Sequence, residues 1–309
     1  MGRAASQLSV GATMTSTIKL YLGAHKTATT HLQGILIKNA DLLEAAGTSV
    51  TAPRQLRPDW LEMYFAAVRQ QVKKPERGPR PDTRTALRRV MPEANDWILT
   101  DENIIGTPRQ VLKDGGFYAN TRQRLETLKE VFGDRQIEVY FSVRRYGDFF
   151  SSMYSEIVRN QGFIPAEEYA GAFDPMAWSW SSVIEPMVDV FGESAVTIWD
   201  FASFRDLLPD LVNRLTGTDL GPRLVAEYAP EATRPSLSQK TLDVLADLAP
   251  AIGPTNCLPL TEMINAKYAV ASGYAPGSPY PENERQRINA RYLPDLESYK
   301  ARWGGVNFL

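Results

Sequence analysis

Lys26 lies in the run Gly23-Ala24-His25-Lys26-Thr27-Ala28-Thr29-Thr30, a donor-rich segment suited to holding an anion. Thr27, Thr29 and Thr30 supply hydroxyls, Lys26 a mobile charge, and small Ala28 lets the backbone approach a ligand closely. If the run joins a strand to a helix, its successive N–H groups and the helix dipole would surround phosphate oxygens. It is not a nucleoside-triphosphate loop of the form G-x-x-x-x-G-K-[ST]: the lysine precedes the tight turn and the second glycine is missing. Taken alone, the threonines also fit an ordinary self-capped helix start.

A second group lies downstream, in Arg144-Arg145-Tyr146-Gly147-Asp148 and on to Ser152 and Tyr154. An arginine at the end of a strand engages phosphate through two parallel hydrogen bonds, which lysine cannot do. The Ser152 hydroxyl would reach the same phosphate if the chain reverses at Tyr146-Gly147. Asp148 reads as a helix N-cap. A third candidate is Glu102, in Thr100-Asp101-Glu102-Asn103, with Asp101 suited to capping the next helix. His31 reads as a helix-surface residue.

These residues need elements to place them. Ile18 to Leu22 is a strand, and Leu32, Ile35, Leu36, Leu42 and Leu43 give Thr29 to Ala46 a helical period ending at Gly47. Thr48 to Thr51 is a second strand, so the order strand–loop–helix–strand implies a right-handed crossover and a parallel sheet. Further strands are expected at Trp97–Thr100, Ile137–Val143 and Ala195–Trp199. Helices are expected at Trp60–Val72, Thr121–Phe132, Asp148–Arg159 and about 204–215. Lys73 to Asp82 is a Pro-rich basic linker, and a Gly/Pro loop at Gly273–Asn283 interrupts a helical C-terminal third. Both candidate anion motifs then fall at the carboxyl ends of strands, where ligands of open α/β sheets bind.

Composition narrows the function classes. The chain has 309 residues and a net charge of −2, which gives no general attraction to nucleic acid or to an anionic membrane surface. Cys257 is the only cysteine, and His25 and His31 are the only histidines, so neither an internal disulfide nor a Cys- or His-rich metal centre is expected. No apolar run reaches the length of a membrane span. The segment 1–16 reads as a loose tail with Met14 as a possible start, and the expected location is cytoplasmic.

His25-Lys26-Thr27-Ala28-Thr29-Thr30 with Leu32-Gln33 resembles the 5′-phosphosulfate loop of sulfotransferases, whose bacterial members have a similar H-K-T-G-T-T-x-L-Q run. Ala28 replaces the usual glycine, at little cost unless the backbone there is left-handed. Arg144 and Ser152, eight residues apart, with Tyr154 beyond, resemble the 3′-phosphate motif of the same family. The resemblance implies a P-loop-like three-layer α/β fold, as a single domain over 17–309 with an insertion near 54–82 and a helical extension near 226–309. It implies 3′-phosphoadenosine 5′-phosphosulfate as co-substrate, no metal, and a hydroxyl acceptor that is a small molecule, carbohydrate or glycolipid. Carbohydrate sulfotransferases often place a glutamate after a comparable strand, which makes Glu102 the expected base and His25 the alternative, with Lys26 as catalytic cation. The family's C-terminal segment returns over the nucleotide, which would bring Arg285, Arg287 or Arg291 near the 3′-phosphate. A nucleotide kinase or NTPase and a non-catalytic nucleotide- or glycan-binding module are the competing readings. The acceptor and the oligomeric state stay open.

Overall fold

A computed structural model describes residues 16–74, 81–91, 94, 96–112, 117–230 and 235–309. Residues 1–15 of the expected tail and 75–80 of the linker lie outside the described residues. The first half runs β1 (Thr17–Tyr21), α1 (Thr29–Lys38), α2 (Ala40–Ala45), β2 (Thr48–Thr51), α3 (Pro53–Lys73), α4 (Pro81–Val90), β3 (Asp96–Thr100), α5 (Pro108–Val111), α6 (Thr121–Phe132) and β4 (Gln136–Val143). It continues with α7 (Tyr146–Gln161), α8 (Ala166–Gly171), α9 (Ser181–Phe191), β5 (Val196–Asp200), α10 (Phe204–Thr216) and α11 (Gly221–Ala226). The C-terminal part is α12 (Gln239–Ile252), α13 (Leu258–Lys267), α14 (Glu282–Ala290), α15 (Tyr292–Arg302) and β6 (Asn307–Phe308).

The six strands form one sheet in the order β2-β3-β1-β4-β5-β6, every pairing parallel. Helices cover both faces, so the five longer strands are buried nearly throughout rather than alternating buried and exposed. Leu20, Leu99, Val139, Phe141 and Ile198 point to the face packed by α3, α6, α7 and α9. Tyr21, Ile98, Tyr140 and Trp199 point to the other, packed by α1 and α10. The chain thus leaves β1 towards one face and β4 towards the opposite face. That divergence opens a crevice between neighbouring strands, the switch point at which such sheets bind ligands.

Three local departures from the sequence reading have simple causes. The expected helix Thr29–Ala46 breaks at Asn39, whose Nδ2 donates to Ile35 O (2.8 Å) and diverts the backbone into α2. The helix expected at Trp60–Val72 starts at Pro53, a residue favoured in a first turn, and buries Leu56, Trp60 and Tyr64 in the core. The C-terminal third ends in β6, two residues too short to be read as a strand, which adds itself to the edge of β5.

Candidate anion site at the switch point

The loop from Leu22 to Thr30 is fastened to β4 at its start: the N–H groups of Leu22 and Gly23 both donate to Tyr140 O, at 3.1 and 3.4 Å. Gly23 is left-handed (φ 51°), and a Cβ there would lie 2.4 Å from Thr29 Cγ2, so only glycine lets the loop fold back on itself. Two residues with side chains follow in the same region, Lys26 (φ 62°) and Ala28 (φ 59°). Ala28 therefore occupies the strained conformation rather than the ordinary one. Each such residue costs about 1–2 kcal/mol, and strain of this kind gathers at ligand clamps.

Capping does not account for the threonines. Thr27 Oγ1 donates backwards to Ala24 O (2.6 Å), and no side chain caps α1. The leading N–H groups of a ten-residue helix are left without a side-chain acceptor, at the positive end of its dipole. Thr29 is buried and Thr30 exposed.

Lys26 is the junction of the site. Its Nζ pairs with Glu156 Oε2 at 2.9 Å, and its carbonyl accepts from Arg144 Nη1 at 2.6 Å. Arg144 stacks over Phe201, 4.9 Å from the ring centre, and its own carbonyl accepts from Trp180 Nε1. Burial pulls the Arg144 pKa down, partly offset by the Asp148 charge. The loop after β1, the end of β4 and helix α7 thus meet at one residue.

Ser152 is half-buried on α7, one turn from Asp148 on one side and from Glu156 on the other. Helix α7 begins at Tyr146, so the turn out of β4 is made by Arg144 and Arg145, and Tyr146-Gly147 are the first residues of the helix. Asp148 is not the N-cap; Arg145 holds that position, and Asp148 sits in the first turn. There it pairs with Arg285 (2.6 Å) and with exposed Arg145 (3.3 Å). Helix α14 does return over the start of α7: Asn289 Oδ1 accepts from Gly147 N (2.8 Å), and a Cβ on Gly147 would meet Arg285 O at 2.7 Å. Of the three C-terminal arginines, Arg285 and Arg291 lie beside this motif: Arg291 stacks over Tyr146, 5.2 Å from the ring centre, and donates to Pro175 O and Trp178 O, whereas Arg287 pairs with Glu284 on its own helix.

His25 is buried and fully engaged. Its N–H donates to Tyr118 Oη (3.3 Å), Nδ1 meets the same hydroxyl at 3.0 Å, and Nε2 meets Asn103 Oδ1 at 3.2 Å. One assignment satisfies all three contacts: Tyr118 O–H donates to Nδ1, and Nε2–H donates to Asn103. Burial lowers the His25 pKa, against the opposing pull of Glu102 and Asn103, so the ring is held neutral. Its proton-accepting nitrogen is already occupied.

Asp101 and Glu102 divide their roles. Asp101 is fully buried, accepts from Asn103 N (2.9 Å), and takes both Nε and Nη2 of Arg57 at 2.9 Å. Burial pushes its pKa up, and the Arg57 bonds oppose this. Glu102 stays partly accessible, with its side chain 18% exposed, accepting from Arg57 Nη2 (3.1 Å) and Gln33 Nε2 (3.3 Å). Its chain neighbour Asn103 bonds to His25 Nε2. His31 lies elsewhere, edge-on to Phe204 and Tyr228.

Three buried polar atoms at the carboxyl ends of the strands have no protein partner: Tyr21 Oη, Ser142 Oγ and Trp199 Nε1. Ser142 and Trp199 are register partners across β4 and β5, and Tyr21 stacks on Trp199. Tyr118, Asn103, Arg57 and Glu156 escape sequence reasoning. Of these only Glu156 has a sequence signal, its i+4 spacing from Ser152.

Neither a protein-family model nor a curated protein sequence matches the chain. Among solved structures it is similar to a sulfotransferase from Alicyclobacillus acidocaldarius, with 16% identity and a TM-score of 0.40 over 78% of this chain and 94% of that one. That likeness is too remote to transfer an activity or a residue role. No described helix is long and apolar enough to cross a membrane, and the described residues hold no cluster of metal-ligating side chains.

Proposed function

We propose that the chain is a sulfotransferase moving the sulfuryl group of 3′-phosphoadenosine 5′-phosphosulfate to a hydroxyl of a carbohydrate or glycolipid. The observation that supports it most is the Arg144 Nη1 to Lys26 O bond of 2.6 Å, which joins the two anion motifs at the switch point. The uncapped start of α1, with Lys26 to Thr30, would hold the 5′-phosphosulfate. Arg144 and Ser152 would hold the 3′-phosphate that distinguishes this donor from ATP.

Transfer is in line. The acceptor oxygen bonds to sulfur as the bond from sulfur to the bridging phosphate oxygen breaks, and the bisphosphate leaves. Lys26 offsets the charge that grows on the bridging oxygen. Glu102 takes the acceptor's proton; it is preferred to His25, whose ring nitrogens are both committed to Tyr118 and Asn103. Gln33 and Arg57 orient that carboxylate.

The test is thermal stabilisation by 3′-phosphoadenosine 5′-phosphate beside ATP and 5′-AMP, on wild type and Arg144→Ala. A ligand at 100 times its Kd adds about 2.7 kcal/mol. Stabilisation by the bisphosphate alone, lost in the variant, is the expected result. An equal response to ATP, or none to the bisphosphate, overturns the reading. Glu102→Gln is expected to lower kcat by about 10²–10⁴ while leaving bisphosphate stabilisation intact. A variant with full turnover removes Glu102 as the base.

A further inference from the structure

A cavity of about 720 Å³ opens between α12 and the segment joining α7 to α8. That is the size of a small-molecule site. Along α12, Gln239, Asp243, Ala246 and Pro250 recur at i, i+4, i+7 and i+11 and so share one face. Ala246 is too small to fill the space, and the buried face of the same helix is anchored elsewhere by Thr241 and Leu245. The facing wall contains Phe163 and Glu167, and Tyr154 of α7 contributes a second ring.

The walls are fixed at both ends. Phe163 N donates to Pro254 O at 3.1 Å beyond the end of α12, and at the other end Ser278 Oγ meets Ser151 Oγ at 3.1 Å. The space is therefore formed before anything enters it. Its electrostatics have one sign: Glu167 and Asp243 are the charged residues lining it, and no lysine or arginine does so. Both carboxylates are exposed to solvent, while Tyr154 and Phe163 are buried. An apolar trough rimmed by two carboxylates is matched by an apolar body bearing an ammonium group.

We propose that this groove is a second ligand site, taking an amphiphilic ammonium compound with its apolar body along the Ala246 face and its charge at Glu167 and Asp243. None of its lining residues belongs to the loop around Lys26, and Tyr154 is the one it shares with the Arg144 motif, so the assignment does not need the sulfotransferase reading.

The probes are decyltrimethylammonium and decyl sulfate, each below its micelle concentration, titrated calorimetrically into the full chain. Decyltrimethylammonium is expected to bind at least about tenfold more tightly than decyl sulfate. Ala246→Trp, at an exposed position where the fold tolerates bulk, should weaken it about tenfold or more. The double variant Glu167→Lys, Asp243→Lys should reverse the preference, while Lys26→Ala leaves it unchanged. Equal binding of the two probes by wild type, no binding of the ammonium, or an Ala246→Trp affinity equal to wild type overturns the proposal.

Discussion

Ala28 occupies a left-handed backbone angle where a glycine would sit without strain. Ala28→Gly is expected to raise stability by up to about 1 kcal/mol, the relief of strain being partly offset by the greater freedom of glycine in the unfolded chain. A melting scan checks it, and a fall in Tm would mean that Ala28 contributes packing that outweighs its backbone cost. Glu156 places a carboxylate against the one lysine of an anion site. Glu156→Gln should tighten bisphosphate binding several-fold, because Lys26 no longer has a competing partner, with little change in Tm since the pair is partly exposed. Titration of both proteins with the bisphosphate decides this; equal or weaker binding by the variant would show that Glu156 serves to hold Lys26 in place.

His25 gives a pH signature at the same scale. Its folded pKa lies below the ordinary 6.5, so the folded state binds the proton less well than the unfolded chain. The resulting stability is present above about pH 6.5 and is lost as the pH falls through the folded pKa. His31 is shifted the same way by partial burial and Arg205, whereas burial of Asp101 favours its protonated form and works in the reverse sense in more acid solution. Melting temperatures between pH 7.5 and pH 5 should therefore fall more steeply for wild type than for His25→Asn. Parallel curves would place the titration on other groups.

At the scale of elements, the two motifs and the strands beneath them were legible because an apolar run ending in a donor-rich turn is a local pattern. Thr121–Phe132 could be bounded from its period and from Gly133 alone. The partners of the motifs were not legible, because tertiary folding supplies them: Tyr118 reaches His25 across 93 residues and Arg57 reaches Asp101 across 44. Asn39 shows the opposite failure, a single side chain that ends a helix whose apolar period continues past it. Helix α14 rests on Gly147, whose missing side chain lets Arg285 O approach. Gly147→Ala should loosen α14, so that limited proteolysis cuts near 282–290 sooner than in wild type while the sheet core persists. Unchanged cleavage would show that α14 is held mainly by Asn289 and Asp148.

At the scale of the whole molecule, the sheet ends in a strand of two residues whose neighbour Leu309 also donates, N–H to Ile198 O at 2.9 Å. Removing residues 306–309 would leave β5 as a bare edge. The truncated chain is expected to melt lower and to associate at rising concentration, which light scattering reads directly. A truncated chain with the full chain's association state and an unchanged Tm would show that other segments already cover that edge.

The position of β1 in the middle of the sheet sets a timetable. Ile18 must find Trp97 on one side and Ile137 on the other, partners far along the chain, and parallel pairings of this span are slow to close. Helices such as α6 and α7 consist of local contacts and form without waiting for them. The left-handed turn at Lys26 lacks its Arg144 anchor until β4 has docked. In refolding, recovery of bisphosphate binding should therefore lag behind the return of helical signal, the site being among the last parts of the molecule to come into existence.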